Sequence, residues 1–316
     1  MWCHSVLKRR VRLSSKPLTD VHPKGAFAIM TPSWLVETHW LADHLSDPDL
    51  RIVDIRGRVE PPLELGKPRY FPSPELYADS HLPGAVFIDW VHDITDPADP
   101  IPVQIAPPER FKDAMERAGI GEGTRVIAYD DHNNIMAGRL WWALRYYGHD
   151  QVAVLNGGFP KWVKEGRATD RVVPQFPTAI FTPRLRPELR KVADQLLPEA
   201  AAGALLLDNR LPADFTGETQ RALRAGHIPG AVNLPTGALL DVSGAVLPAD
   251  QLREKFASIG LTDSEQPVIT YCNGGVNASL VALALNQAGF QRVAVYDGSW
   301  NEWGNDPNRP LATGRK

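Results

Sequence analysis

The hexapeptide His81-Leu-Pro-Gly-Ala-Val86 returns later in the chain as His227-Ile-Pro-Gly-Ala-Val232, changed only from Leu82 to Ile228. Other signals recur around it in the same order. Ile52-Val-Asp-Ile-Arg56 precedes the first copy and Leu206-Leu-Asp-Asn-Arg210 the second, while Val126-Ile-Ala-Tyr-Asp130 and Val268-Ile-Thr-Tyr-Cys272 follow. Val152-Ala-Val154, Gly157 and Trp162 then match Val293-Ala-Val295, Gly298 and Trp303. Unlike signals repeated in one order point to tandem duplication of a single unit, so whatever fold the chain adopts it must adopt twice. The 316 residues leave room for two units of about 130 residues, an ordinary domain size.

Within each unit, short β-branched runs alternate with helical stretches. The first predicts strands at 51–54, 85–88, 125–129 and 152–155, an amphipathic segment at 108–118 and a helix at 138–147. The second predicts strands at 205–208, 268–271 and 293–296 and helices at 249–259 and 277–289. That alternation is the signature of an α/β fold in which helices flank a parallel sheet. A stretch carrying Pro174, Pro177, Pro183 and Pro187 separates the units and reads as an extended linker. The division is therefore 30–168, a linker at 169–187, and 188–316. Residues 1–29 hold six basic side chains and one acid, and are read as a disordered extension or an over-called start. The alternative is an organelle-targeting segment, so the expected location is the cytoplasm, with the mitochondrion left open by that basic balance.

Charge and cysteine usage narrow the function. With 34 basic against 37 acidic side chains the chain lacks the electrostatic footprint of a nucleic-acid binder. No apolar run approaches the ~18 to 20 residues of a membrane span. Two cysteines, Cys3 and Cys272, suit a reducing compartment and argue against a disulfide framework. Cys272 is thus the residue to explain. It stands after the apolar run 267–271 and before Asn273-Gly274-Gly275-Val276-Asn277, at a strand-to-helix turn on the carboxyl edge of a parallel sheet, where such folds bind ligands. The glycine pair lets successive N–H groups curl inward, and Asn277 is read as the N-cap of the following helix. Those donors and the positive helix end favour a thiolate and any anion it attacks. A buried structural cysteine would be expected inside a strand or helix instead. Ala278 stands where a cysteine phosphatase loop, Cys-x5-Arg, needs its phosphate-clamping arginine, which excludes that chemistry. Because the His-Pro-Gly turn is repeated, His81 and His227 are read as structural.

These motifs together resemble the two-domain rhodanese sulfurtransferases. The resemblance rests on the repeated Asp…His-Ile/Leu-Pro-Gly-Ala pattern, the Cys-x-x-Gly-Val-x-Ala loop and the terminal Gly-x-x-x-x-Trp, and it covers residues 31–312. It implies a second domain whose cysteine, Cys272, carries a persulfide. Sulfur would pass from thiosulfate or 3-mercaptopyruvate to cyanide or a thiol, a thioredoxin-like protein among the candidates, with no metal or organic cofactor. It also implies a silent first domain, with Asp130 in the cysteine's place. A persulfide carrier or binding module without efficient small-molecule turnover is the competing expectation.

Donor choice follows from the loop. Thiosulfate-specific members resemble Cys-Arg-Lys-Gly-Val-Thr, whereas Asn273 and Gly274 make this loop neutral, nearer to the mercaptopyruvate pattern. Arg221 fits one of the two carboxylate-binding arginines of that group, and Asp214 occupies the place of the other. Arg210 and Asp89 complete the expected substrate contacts, Asp208 supports the loop, and Trp300 or Trp303 could wall the pocket.

Overall fold

The computed structural model describes residues 1–2, 33–60, 63–65 and 67–314. Cys3 and nearly all of the proposed extension lie outside them. The first half runs β1 (Leu35–Val36), α1 (Thr38–His44), β2 (Leu50–Asp54), β3 (Gly57–Glu60), β4 (Arg69–Pro72), α2 (Pro74–Asp79), β5 (Ala85–Phe87), α3 (Pro108–Arg117), β6 (Arg125–Tyr129), α4 (Ile135–Tyr146), β7 (Val152–Leu155) and α5 (Gly158–Lys164). The second runs β8 (Arg190–Lys191), α6 (Ala193–Ala201), β9 (Leu205–Asp208), α7 (Pro212–Thr216), β10 (Val232–Asn233), α8 (Ala249–Ala257), β11 (Val268–Tyr271), α9 (Val276–Ala288), β12 (Val293–Tyr296) and α10 (Ser299–Trp303).

Each half builds a 5-stranded parallel sheet, ordered β5-β2-β6-β7-β1 in the first and β10-β9-β11-β12-β8 in the second. Position for position these are the same sheet, so the duplication read from sequence is a duplication of topology. The central strands, such as Val-Ile-Thr-Tyr of β11, are buried throughout, as strands covered on both faces by helices must be. The antiparallel hairpin of β3 and β4 belongs to the first half.

The two halves meet along α4 and α9. Both helices are apolar around nearly their whole circumference, the pattern of a helix with no solvent face. Gly138 makes this contact close, since a Cβ there would fall 3.0 Å from the Leu280 Cα. One continuous apolar core accordingly runs from Val53 and Trp141 in the first half to Leu280 and Val295 in the second. The proline-rich linker is extended and tied to the first half, with the Arg184 and Arg186 N–H groups donating to the carbonyls of Tyr147 and Tyr146 at 2.9 Å each.

The repeated His-Pro-Gly turn has the same job in both halves. His81 exchanges backbone hydrogen bonds with Asp170, as His227 does with Ala312, and both imidazoles are buried against aromatic rings. Trp162 and Trp303 match as well, each donating its indole N–H to a downstream carbonyl, of Ala168 at 2.8 Å and of Pro310 at 2.7 Å. Several predicted boundaries shift. α4 begins three residues before the predicted 138, because Asn133 and Asn134 take left-handed backbone conformations that start the helix early.

Candidate functional site

Cys272 follows β11, and its thiol-bearing residue is 3% exposed. The loop behind it is folded by Gly275, whose φ of +77° makes it the N-cap of α9. The helix therefore starts at Val276, and Asn277, expected as the cap, lies within its first turn. The cause is local: the left-handed turn at Gly275 brings the chain into helical geometry before Asn277 is reached. The first N–H groups of a helix have no intrahelical acceptor, and those of α9 follow the thiol-bearing residue within a few positions.

Neighbours from both halves hold the loop. The Cys272 N–H donates to the Ser299 hydroxyl at 3.2 Å, and its carbonyl accepts from the Trp300 N–H at 3.0 Å. The Asn273 carbonyl accepts from the Asn301 N–H at 2.7 Å, and the Asn301 side-chain amide donates to the Tyr70 hydroxyl at 2.9 Å. Tyr70 comes from the first half, and burial pushes its phenol well above the usual range. Gly274 is required by this closure, since a Cβ there would sit 2.7 Å from the Tyr70 hydroxyl and 3.2 Å from a Val103 methyl.

The first half shows what such a loop holds. At the position of Cys272, the buried Asp130 carboxylate accepts the N–H groups of His132 at 2.8 Å and Asn134 at 3.0 Å through Oδ1, and of Ala137 at 3.0 Å through Oδ2. The cradle there is filled by a covalently attached anion. Burial pushes this carboxyl above its ordinary value, outweighing the three donors that pull it down.

The remaining expected substrate contacts are occupied elsewhere. Arg210 is buried, donates from Nη2 to Asp208 Oδ2 at 2.6 Å and to the Gly226 carbonyl at 2.7 Å, and lies 4.3 Å from the centre of the Trp300 ring. Arg56 repeats this in the first half, donating to Asp54 at 2.7 Å and lying 4.3 Å from the Phe159 ring. An arrangement present in the half without a cysteine is a brace for the strand end, and Asp208 is its other member. Asp89 spends its carboxylate on a turn, accepting the N–H groups of Val91 and His92 at 2.9 Å each while its second oxygen meets the His92 ring at 2.8 Å. Arg221 is partly exposed and pairs at 3.3 Å with buried Asp214, the residue standing where a second arginine was expected. Arg224 donates to the carbonyls of Arg309 and Trp303.

A cleft of about 470 Å³ adjoins the loop through Asn301. Its charged lining is Lys67, Glu302 and Asp306, one cation against two carboxyl groups, with Pro68 and Ile101 as apolar walls. Burial pushes the Glu302 carboxyl above its ordinary value.

The expected enzyme, turning over thiosulfate or 3-mercaptopyruvate through a Cys272 persulfide, does not hold. Among the described residues Cys272 has no second thiol paired with it, and no group of three or more His, Cys, Asp and Glu side chains that could hold a metal ion is found. No paired thiol or metal-type centre among the described residues supports repeated turnover at Cys272. What the structure shows is a buried cysteine at the end of β11, directly ahead of the N-cap of α9.

The residues that sequence reasoning missed come from the first half. Tyr70, Val103 and Arg139 press on the Cys272 loop across the interface, and no local spacing could have signalled contacts between residues so far apart in the chain.

The Rhodanese-like domain family matches residues 37–165 and again 191–306. The chain is similar to the 3-mercaptopyruvate sulfurtransferase of Escherichia coli K12, at 34% identity over 286 residues that cover 89% of this chain and 99% of the relative. It is equally similar to the sulfur carrier protein TtuD of Thermus thermophilus, 34% identical over 300 residues, covering 90% and 98% of the two chains. The crystal structure of the Escherichia coli 3-mercaptopyruvate sulfotransferase superposes with a TM-score of 0.74 at 32% identity, over 85% of this chain and 99% of that one. Two matched domains, the shared sheet order and the cysteine loop at the carboxyl edge of the second sheet agree: the chain belongs to the two-domain rhodanese family related to the thiosulfate and 3-mercaptopyruvate sulfurtransferases.

Proposed function

We propose that the chain is a persulfide carrier or binding module on the rhodanese fold, without efficient turnover of small donors. One observation carries this reading. In the first half the loop after β6 closes three backbone N–H groups on a carboxylate, and at the same strand end the second half carries a cysteine directly ahead of α9. A sulfane sulfur on Cys272 would place its terminal anion where the Asp130 oxygens lie in the other copy. Loading is a thiol–persulfide exchange. The Cys272 thiolate attacks the outer sulfur of a donor R–S–SH, the new S–S bond forms, and the donor departs as RS⁻; the reverse step passes the sulfur on.

The cleft beside the loop supports a carrier over an enzyme. Two carboxyl groups against one lysine disfavour small anions such as thiosulfate, and Arg221 is already engaged by Asp214. A macromolecular persulfide donor can supply binding energy over its own surface and needs no such pocket. General sulfur-transfer chemistry is shared by the family, and no helix among the described residues is long and apolar enough to cross a membrane. A reducing compartment such as the cytoplasm would keep Cys272 available.

The test is to incubate the protein with a glutathione or protein-bound persulfide and measure intact mass. One added sulfur on the wild type, none on Cys272→Ser, and transfer of that sulfur to a thiol are expected. Thiocyanate production from thiosulfate or 3-mercaptopyruvate with cyanide should stay near the uncatalysed rate. Sustained turnover with either small donor, or failure to load, overturns the proposal.

A further inference from the structure

The Cys272 loop carries no cationic side chain of its own, yet a guanidinium lies directly beneath it. Arg139, on α4 of the first half, is 0% exposed. Its Nη1 is 3.1 Å from where a Cβ on Gly275 would be, so only the missing side chain of that glycine leaves room for it. Nη2 reaches Asp297 Oδ1 at 2.7 Å and the Val103 carbonyl at 2.9 Å, while Nε and Nη1 have no hydrogen-bond partner. Buried donors left unsatisfied are costly and call for an explanation.

Asp297, at the end of β12, does not neutralise this site. Its other oxygen faces Arg190 at 3.3 Å and accepts the Ile105 N–H at 2.9 Å, so two guanidinium groups share one carboxylate. The Arg139–Asp297–Arg190 cluster by itself carries one net positive charge against the N-cap of α9, with the Glu302 carboxyl acting on Arg190 at its far side. With the free N–H groups of the helix start it forms a continuous positive floor under the cradle.

We propose that Arg139 is a positioning residue for the Cys272 loop: the first half supplies the positive charge that the second half's loop lacks, and thereby favours an anion at the thiol. This deepens the carrier reading, on which the identity of that anion as a terminal sulfide rests. The arrangement also gives the silent half a function beyond packing, because the charge reaches the loop only when both halves are assembled.

The experiment compares alkylation of Cys272 by iodoacetate and by iodoacetamide on the full-length protein, followed by mass spectrometry. The two reagents share the same access to a thiol that is 3% exposed, so their rate ratio isolates the preference for negative charge. Arg139→Gln should lower the iodoacetate-to-iodoacetamide ratio roughly three- to ten-fold, Arg139→Lys should restore most of it, and Asp297→Asn should raise it above wild type. If Arg139→Gln fails to fold, the partly exposed Arg190→Gln tests the same net charge, with a smaller fall expected, alongside Asp297→Asn. A folded Arg139→Gln protein with the wild-type ratio, or ratios unchanged in both Arg190→Gln and Asp297→Asn, overturns the proposal. Neither reagent delivers sulfur, so the charge effect can fail while persulfide loading persists, and loading can fail while the ratio responds as expected.

Discussion

The loops after β6 and β11 occupy the same place in the two repeats and have diverged in the residue at the strand end and in the turn that follows it. In the first, Asp130 brings its own anion and the backbone donors close on it. In the second, Cys272 stands at that position and brings no carboxylate of its own. Backbone conformation follows the same division. The first loop turns on Asn133 and Asn134 at φ of 60° and 63°, the second on Gly275 at 77°. Asparagine tolerates that region, but only glycine does so while leaving space for Arg139. A self-satisfied loop is a structural element; a loop whose donors face a thiol is a receptor. The comparison teaches that the anion-binding property belongs to the fold, and that the residue at the strand end decides whether it is spent internally.

The sharpest way to break this comparison is to remove the brace that both halves share. Arg56→Ala and Arg210→Ala each leave a buried carboxylate, Asp54 or Asp208, without its partner. Loss of one member of such a pair costs about 3–5 kcal/mol, and urea unfolding should show losses of similar size for the two variants. If Arg210→Ala left stability intact and abolished sulfur loading alone, Arg210 would return to the substrate contacts from which its geometry removes it.

A smaller effect separates the two turns. Gly275→Ala forces a side chain into a left-handed conformation and to within 2.9 Å of the Asp297 carbonyl, for an expected loss of about 1–3 kcal/mol. Asn133→Gly, at the exposed turn of the other loop, should change stability by less than about 1 kcal/mol. Equal losses at both positions would mean that the crowding beneath Gly275 contributes nothing.

Much of this was legible in the chain because duplication repeats every signal. The α/β class, the buried strands around Val126-Ile-Ala-Tyr129 and Val268-Ile-Thr-Tyr271, and the structural role of His81 and His227 each have two occurrences to compare, and the turn that carries Cys272 has its counterpart at Asp130. The brace is legible in part: Asp208 and Arg210 close the strand beside the loop and read together as a buttress, while Arg210 also stands among the expected substrate contacts. Only its stacking on Trp300 and its twin at Arg56 show that its donors are used. The contributions of Tyr70 and Arg139 were not legible at all. They arise from packing α4 against α9, a long-range event that leaves no local periodicity. The expectation of turnover failed for a related reason, since a loop motif specifies a cradle and says nothing of the side chains that catalysis would need around it.

The finest distinction between the loops is electrostatic and can be read from pH. Burial holds the Asp130 carboxyl above its ordinary value of 3.8, so the native state binds this proton more tightly than the unfolded chain does. The stability associated with Asp130 is therefore fully present below the unfolded value and is lost as pH rises through the higher folded one. Asp130→Asn cannot ionise and escapes that loss, but it replaces one acceptor oxygen with a donor and leaves one of the His132, Asn134 and Ala137 N–H groups unmatched. That second cost does not depend on pH. The diagnostic is thus the slope and not the offset: the unfolding free energy of the wild type relative to Asp130→Asn, from urea titrations, should fall as pH rises above about 4 and be flat below that. A wild type that gains on the variant as pH rises would mean that the cradle stabilises its carboxylate more than burial penalises it. That outcome would strengthen the proposal for the loop around Cys272, which has Arg139 beneath Gly275 besides its own backbone N–H groups.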